Sequence, residues 1–342
     1  MRRLLDVIFP LSQVLPLGGL INLSRRRAIL PFYHTISDVE LIHIKHLYKV
    51  KKVIEFEKDL DFLLKYYKPI GVEELRQFNY ELRNLKGNNF LLTFDDGLKE
   101  FKEIIAPILQ KKGVPAICFL NPAFIGNEAM FYRHKVSLLI ERLNNLKEQG
   151  GIPVLVYDWF SEQQIPFGKD FLSLKKIRYS DQYKLDEIAA LLGVDFEKYL
   201  NINQPYLDWD EIRSLEKQGF HFGAHSIDHP PFAELSGAEQ LRQFEESLDT
   251  VKRWLNLDYN LFAFPFSDRG IPVTFLQRVL YQNSPIADLT FGTAGLKLSV
   301  FDRHLQRIAM EQGKRFAAAI LKDEYLRCII RAILGMNRTR HK

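Results

Sequence analysis

Two adjacent carboxylates follow a short apolar run in the first third of the chain. The stretch Leu91–Phe101 reads LLTFDDGLKEF, so Asp95 and Asp96 end a segment that is typical of a buried strand. Carboxylates this close repel each other, and burying them is costly unless a positive charge compensates. The sequence therefore predicts either a bound cation at this point or an exposed turn in which Asp96 or Gly97 caps the next helix.

A pair of histidines suggests what that cation is. His225 and His229 lie four residues apart in the segment HSIDH, a spacing at which two imidazoles can converge on one divalent metal. Two histidines alone are a weak signal, but with one carboxylate they form a ligand set that leaves positions open for water and substrate. The second carboxylate would then act as a base on a metal-bound water whose pKa falls toward ~7. Spacing alone does not decide which of the two aspartates binds the metal and which acts as the base.

Helical patterns alternate with short apolar runs along most of the chain. The segments Ala28–Asp38 and Leu91–Asp96 have the pattern of strands, and Val53–Tyr67 and Leu98–Gly113 have that of helices. This order, with short connections, predicts an α/β fold of parallel strands with helices outside. Active sites of such folds lie at the carboxyl ends of the strands, where the aspartates, the histidine loop and the segment FAFPF would meet.

These motifs together resemble the polysaccharide deacetylase family, the NodB-homology group of carbohydrate esterase family 4. The similarity rests on TFDDG at Thr93–Gly97 and HSIDH at His225–His229, with an early YH at Tyr33–His34, and spans about Leu30–Met310. It implies a distorted (β/α) barrel of the NodB type, here with a helical insertion at about 127–205. It also implies a divalent metal, zinc above all with cobalt, nickel or manganese as alternatives, and removal of an N-acetyl group from an amino sugar of a glycan or glycolipid.

The resemblance also implies roles for individual residues. Asp95 would be the catalytic base, and Asp96, His225 and His229 the metal ligands. His304, the only histidine near the family's last motif, would be the general acid, although its surroundings match that motif poorly. Substrate contacts are expected from residues at the other strand ends: His34, Phe264, Pro265, Phe266 and Arg307.

One departure from the family pattern affects the base. The third motif usually carries an arginine that orients the base aspartate, and Ala263 stands in that place. Either another cation takes the place of this arginine, with Arg269 and Arg303 as candidates, or other groups set the pKa and orientation of Asp95. Two alternative functions follow: an amidase or deformylase acting on a lipid-linked sugar, and a non-catalytic glycan-binding protein that retains the metal site.

The two ends of the chain are basic and partly apolar. The net charge is +5, with arginines concentrated in residues 1–27 and 316–342, outside the expected barrel of residues 28–315. We interpret residues 1–27 as a retained leader without a clear cleavable signal, and residues 316–342 as a basic amphipathic helix and tail. Such segments either lie on a lipid surface or cover the barrel. We expect a cytoplasmic protein with peripheral membrane contact and no nucleic-acid partner.

Overall fold

A computed structural model of the protein describes residues 9–341, and within them eleven short strands form two parallel sheets. In chain order the strands are β1 (Ala28–Ile29), β2 (Pro31–Tyr33), β3 (Lys68–Pro69), β4 (Asn89–Phe90), β5 (Leu92–Phe94), β6 (Ala116–Leu120), β7 (His221–Ala224), β8 (Leu261–Ala263), β9 (Leu289–Gly292), β10 (His304–Gln306) and β11 (Ile308–Ala309). The small sheet has the order β1-β4-β3. The large one has the order β10-β9-β8-β7-β6-β5-β2-β11.

The large sheet closes into a barrel at one residue. Its two edge strands, β10 and β11, are consecutive in the chain and are separated only by Arg307. β10 pairs in parallel with β9, and β11 pairs in parallel with β2. The two edges of the sheet are therefore two halves of one segment, and the predicted distorted (β/α) barrel is confirmed.

Helices surround the barrel, as the alternating pattern predicts. They are α1 (Leu17–Ser24), α2 (Ile42–Lys45), α3 (Val53–Tyr66), α4 (Val72–Gln77), α5 (Ala106–Lys112), α6 (Tyr132–Glu148), α7 (Val154–Glu162), α8 (Tyr183–Leu192), α9 (Phe196–Asn203), α10 (Trp209–Lys217), α11 (Gly237–Leu255), α12 (Val273–Tyr281) and α13 (Ala317–Ile333). Local sequence sets their starts. Asp208, for example, caps α10 by accepting a hydrogen bond from the Glu211 N–H, which satisfies an otherwise unpaired donor.

The barrel interior follows the two-residue alternation of its strands. In β6, Ile117 and Phe119 belong to the cluster inside the barrel, whereas Cys118 belongs to the core between barrel and helices. Gly223 on the neighbouring β7 leaves room for the Phe119 ring, because a Cβ there would lie 2.7 Å from that ring. Large aromatic side chains can therefore fill the interior beneath the strand ends.

The segment of about 127–205 is helical and has its own core. Helices α6 to α9 lie in it, and their buried side chains form a cluster with Ile44 of α2, with Leu98 of the segment that follows β5, and with Tyr206. This cluster seats the segment on the side of the barrel where β5 ends.

Both ends of the described chain pack on the main core. Leu17 and Leu20 of α1 and Leu326 and Ile329 of α13 are all buried in it. The predicted leader of residues 1–27 extends beyond the described residues at its start. None of the helices within residues 9–341 has the length and apolarity needed to cross a bilayer.

Candidate metal and catalytic site

The side chains singled out from the sequence meet at the carboxyl edge of the barrel. Asp95 directly follows β5, His225 directly follows β7, Phe264 follows β8 and His34 follows β2. Parallel strands bring these ends to the same edge of the sheet. His34, Asp95, Asp96, His225 and His229 all line one cavity of about 380 Å³.

Asp96, His225 and His229 converge on a common point. The Nε2 atoms of the two histidines lie 3.1 Å apart, and Asp96 Oδ1 lies 3.4 Å from Nε2 of His229 and 3.8 Å from that of His225. Within residues 9–341, Asp96 Oδ1 is buried and has no hydrogen-bond partner. Two imidazoles and one carboxylate at these separations fit a divalent cation such as zinc.

Neighbouring groups orient the ligands. His225 donates its Nδ1–H to the carbonyl oxygen of Ala263 at 2.7 Å, which leaves the Nε2 lone pair pointing at the common point. Burial lowers the pKa of His225 to about 4, so the imidazole is neutral at neutral pH. Burial raises the pKa of Asp96 to about 7, and Asp95 and Glu311 add to this rise against the opposing charge of His34. A divalent cation held by Asp96 and the two histidines would offset this cost and keep Asp96 ionised.

Unusual backbone conformations aim these side chains. Asp96, Ser226, His229 and Phe266 all have positive φ angles, between 55° and 73°. Such angles are uncommon for residues other than glycine, and strained backbone of this kind clusters at functional sites. Gly97, which follows the aspartates, also has a positive φ, and a Cβ there would lie 2.9 Å from Leu120. The turn after β5 is therefore specific to glycine.

Arg307 supplies the cation next to Asp95. Its two terminal nitrogens donate to the two carboxylate oxygens of Asp95 at 2.6 and 2.9 Å, and one also donates to Thr93 Oγ1 at 3.2 Å. Burial would raise the pKa of Asp95, but the charge and hydrogen bonds of Arg307, with the nearby His225 and His34, together outweigh it and leave that pKa below its usual value. The carboxylate is thus held ionised in a fixed orientation.

This pairing differs from two expectations from the sequence. The proposed substitutes for the missing arginine were Arg269 and Arg303, and they line other cavities. Arg307 was expected to contact substrate, but it is fully buried inside the barrel, with its guanidinium 4.4 Å from the centre of the Phe32 ring. It acts on Asp95 from below the cavity floor.

His304, predicted to be the general acid, does not line this cavity. Its side chain points away from the barrel interior. On the outside, its Nε2 lies 2.8 Å from Asp268 Oδ2 and its Nδ1 lies 2.8 Å from Thr290 Oγ1. The acid role of His304 stays a prediction, and its place outside the cavity does not support that role. Asp268, His304 and His341 form a separate group of metal-ligating side chains outside the barrel.

His34 instead faces the cavity and is paired with a carboxylate that the sequence reading missed. Its Nδ1 lies 2.5 Å from Glu311 Oε2, and Glu311 also accepts hydrogen bonds from the backbone N–H groups of His34 and Thr35. Burial alone would lower the pKa of His34, but Glu311, Asp96 and Asp95 together raise it to about 9. Glu311 lies just beyond β11, so its position at a strand end was the signal that could have identified it.

The remaining expected substrate contacts differ in their exposure. Phe266 lines the cavity, is 45% exposed, and its ring centre lies 4.6 Å from that of His229. Phe264 also lines the cavity but is fully buried among other phenylalanines, so it forms part of the wall. Pro265 does not line the cavity.

The helical segment of residues 127–205 forms another wall of the cavity. Phe131, Arg133, His134 and Lys175 from this segment line the same cavity. The ring centre of Phe131 lies 4.5 Å from that of His229, so the segment directly contacts a candidate metal ligand.

Solved structures of other proteins share this fold. The structure aligns with that of the Streptococcus pyogenes deacetylase PplD in complex with acetate, with a TM-score of 0.51 and 15% identity over 88% of this chain and 97% of that one. IcaB from Ammonifex degensii (TM-score 0.48, 15% identity, 87% and 97%) and the BpsB deacetylase domain from Bordetella bronchiseptica (0.47, 12%, 83% and 94%) are also similar. No curated protein matches the sequence significantly.

The family model for polysaccharide deacetylases matches residues 83–155 and 172–280, more than half of the chain. The chain therefore belongs to the polysaccharide deacetylase family. Membership indicates a hydrolase that acts on amide bonds of acetylated glycans, in a family that is generally metal-dependent.

Proposed function

We propose that this protein is a metal-dependent deacetylase that removes the N-acetyl group from an amino sugar of a glycan or glycolipid. The observation that carries the proposal is the convergence of Asp96, His225 and His229 beside the Asp95–Arg307 pair in one cavity. In this arrangement, three candidate metal-ligating atoms lie next to the ionised carboxylate of Asp95, which is not itself one of the ligands.

Asp96, His225 and His229 would hold the cation, with zinc, cobalt, nickel and manganese all compatible with this donor set. When bound, the cation supplies polarisation of the acyl carbonyl and lowers the pKa of a coordinated water toward ~7. Asp95 takes the proton from the attacking water, and Arg307 keeps Asp95 ionised and oriented for that transfer.

His34 is proposed as the group that protonates the leaving nitrogen. It lines the cavity that holds Asp95 and Asp96, and its pairing with Glu311 favours the protonated form. As the water oxygen bonds to the acyl carbon, the carbon–nitrogen bond breaks and His34 gives its proton to the departing amine. The products are acetate and the free amino sugar.

The two alternative functions are affected differently by this geometry. The non-catalytic alternative was motivated by Ala263 in place of the third-motif arginine, and Arg307 contacts Asp95 as such an arginine would. The amidase or deformylase alternative differs from the proposal in the acyl group that is removed and in the lipid-linked sugar that carries it. Incubating the metal-loaded protein with N-acetylated and N-formylated amino-sugar oligomers, and measuring acetate and formate, tests both. Release of neither acid would overturn the proposal.

We also propose that the protein is cytoplasmic and makes peripheral membrane contact. Ile333 and Leu334 at the end of α13 are 79% and 59% exposed, and Arg338 and Arg340 follow in the tail. Exposed apolar residues flanked by cations suit an anionic lipid surface. Leu326 and Ile329, in contrast, are buried against the barrel, so only the end of the helix is available for such contact.

A further inference from the structure

Two cations of the helical segment lie on the wall of the catalytic cavity. Arg133 comes from the start of α6, and Lys175 comes from the turn Leu172–Lys176. The other cationic groups of the cavity region have carboxylate partners, since Arg307 pairs with Asp95 and His34 with Glu311. In the part of the chain that the structure describes, no ion pair engages Arg133 or Lys175. Their charges therefore remain available to a ligand.

The Arg133 guanidinium is held in place without a carboxylate. One terminal nitrogen donates to the backbone carbonyl oxygen of Lys175 and also, at 3.3 Å, to that of Ile177. The guanidinium carbon lies 4.6 Å from the centre of the Tyr132 ring and 6.0 Å from that of Phe266. Phe266 in turn contacts His229, so Arg133 is separated from the metal ligands by one aromatic ring.

The two cations also bring like charges together. The carbonyl oxygen of Lys175 accepts the Arg133 hydrogen bond, which fixes the two residues side by side on the wall. Burial lowers the pKa of Lys175 and Arg133 adds to this effect, whereas Asp170 opposes it. Two neighbouring cations repel each other, and an anion that binds both of them offsets this repulsion.

We propose that Arg133 and Lys175 bind an anionic group of the substrate, a phosphate or a carboxylate attached to the N-acylated sugar or its neighbour. The inference rests on the proposed function and specifies its substrate class. Arginine presents a planar fork that matches two oxygens of either anion, and lysine adds a point charge. A phosphate would come from a phosphate-linked sugar, such as one on a lipid carrier, and a carboxylate from an acidic sugar.

Equilibrium binding tests the proposal. Calorimetry on the metal-loaded Asp95→Asn protein, in which turnover is blocked, compares N-acetylglucosamine with N-acetylglucosamine 1-phosphate and N-acetylmuramic acid. We expect at least one anionic sugar to bind about ten-fold more tightly than the neutral one, the effect of a charge-assisted hydrogen bond. The preferred anion distinguishes the phosphate source from the carboxylate source.

Variants assign this preference to the two residues. Adding Arg133→Gln and Lys175→Gln should abolish the preference for the anion. Lys176→Gln should retain it, because Lys176 lies in the same turn but is exposed and does not line the cavity. Equal binding of all three sugars, no binding of either anionic sugar, or a preference that survives the double substitution would overturn the inference.

The proposed function is measured separately. If unsubstituted protein releases acetate from neutral N-acetylated oligomers but shows no anion preference, only the anion-binding inference fails. If the anion preference is present but no acetate is released from any N-acetylated sugar, the deacetylase proposal fails and the binding site stands.

Discussion

Arg307 and Asp95 form a two-point ion pair across the barrel, although they are 212 residues apart in the chain. Both N–H···O contacts are short, at 2.6 and 2.9 Å, and neither partner is exposed by more than 3% of its side chain. Because Arg307 is also the residue at which β10 and β11 join, the segment that closes the barrel carries the group that orients the proposed base.

Replacing Arg307 should move the pH dependence of turnover. Arg307 makes the largest contribution that lowers the pKa of Asp95 against the effect of burial, so Arg307→Met should raise that pKa. Asp95 would then be protonated at higher pH, and the acid limb of the kcat/KM profile should shift upward. The profile with an N-acetylated oligomer measures this. An unchanged acid limb in a folded variant would contradict the assigned role.

The same substitution should also destabilise the fold. Removing one partner of a buried ion pair leaves an uncompensated charge, which costs about 3–5 kcal/mol. Arg307→Lys is the matched control, because it keeps the charge and loses the two-point geometry. We expect Arg307→Lys to retain more stability than Arg307→Met in denaturant unfolding, while kcat still falls.

Metal content should depend on Asp96, His225 and His229 and not on Asp95. Elemental analysis of protein purified without chelator should show divalent metal in the unsubstituted protein and in Asp95→Asn. The double variant His225→Ala/His229→Ala should lose this metal, because only one ligand remains.

The second group of ligating side chains requires its own control. Asp268, His304 and His341 also lie close enough to hold an ion, so His341→Ala should be analysed in parallel. If His225→Ala/His229→Ala keeps its metal and His341→Ala loses it, the assignment of the catalytic ligands is incorrect.

Residues that belong to short motifs could be predicted from the sequence, whereas contacts between segments far apart in the chain could not. Asp96, His225 and His229 were assigned from short motifs and were found together, because each motif fixes its own turn at a strand end. The partner of Asp95 was not assigned correctly. The motif position is Ala263, and the contact with Arg307 depends on how the last strand closes the barrel, which no local pattern specifies.

For His304, the position near the last motif did not predict the direction of the side chain. It was selected because no other histidine lies near the last motif, yet strand alternation turns it outward toward Asp268, while Arg307 turns inward. Glu311 was missed because a single acid after a strand carries no motif. Its pairing with His34 depends on β11 and β2 being neighbours in the barrel.

The pairing of His34 with Glu311 should set the alkaline limb of activity. Glu311, together with Asp96 and Asp95, raises the pKa of His34 to about 9, so His34 loses its proton, and turnover falls, as the pH rises through that value. Glu311→Gln removes the anion and should move the alkaline limb to lower pH. A limb that stays in place would contradict the role of His34 as the acid.

His34→Gln should affect amide substrates more than activated esters. An amine is a poor leaving group without a proton, and general acid catalysis contributes about 10²–10⁴-fold. We therefore expect a large loss of kcat on the N-acetylated oligomer and a much smaller loss on p-nitrophenyl acetate, whose leaving group needs no proton. Equal losses on both would indicate a structural role for His34.

His304→Gln should leave catalysis nearly intact. His304 does not line the cavity, and its side chain is hydrogen-bonded to Asp268 and Thr290 outside it. We expect kcat on the oligomer to stay within about two-fold, while the free energy of unfolding falls by about 1–3 kcal/mol, the cost of disturbing buried hydrogen bonds. A kcat loss as large as that of His34→Gln, in a folded protein, would restore His304 as the acid.

Membrane contact should depend on the exposed end of α13. Sedimentation with vesicles containing anionic lipid should carry the full-length protein into the pellet at low salt, and added salt should weaken this binding by screening the cationic tail. The double variant Ile333→Ser/Leu334→Ser should reduce binding, because these side chains are exposed and would enter the lipid interface.

A matched control comes from the helical segment, where Val154 and Leu155 are also exposed, at 73% and 65%. Val154→Ser/Leu155→Ser removes equal apolar character elsewhere on the surface and should bind vesicles as the unsubstituted protein does. Deleting the helix would be uninformative, because Leu326 and Ile329 are part of the core. If the full-length protein stays in the supernatant at low salt, or if both double variants lose binding equally, the end of α13 is not a membrane contact.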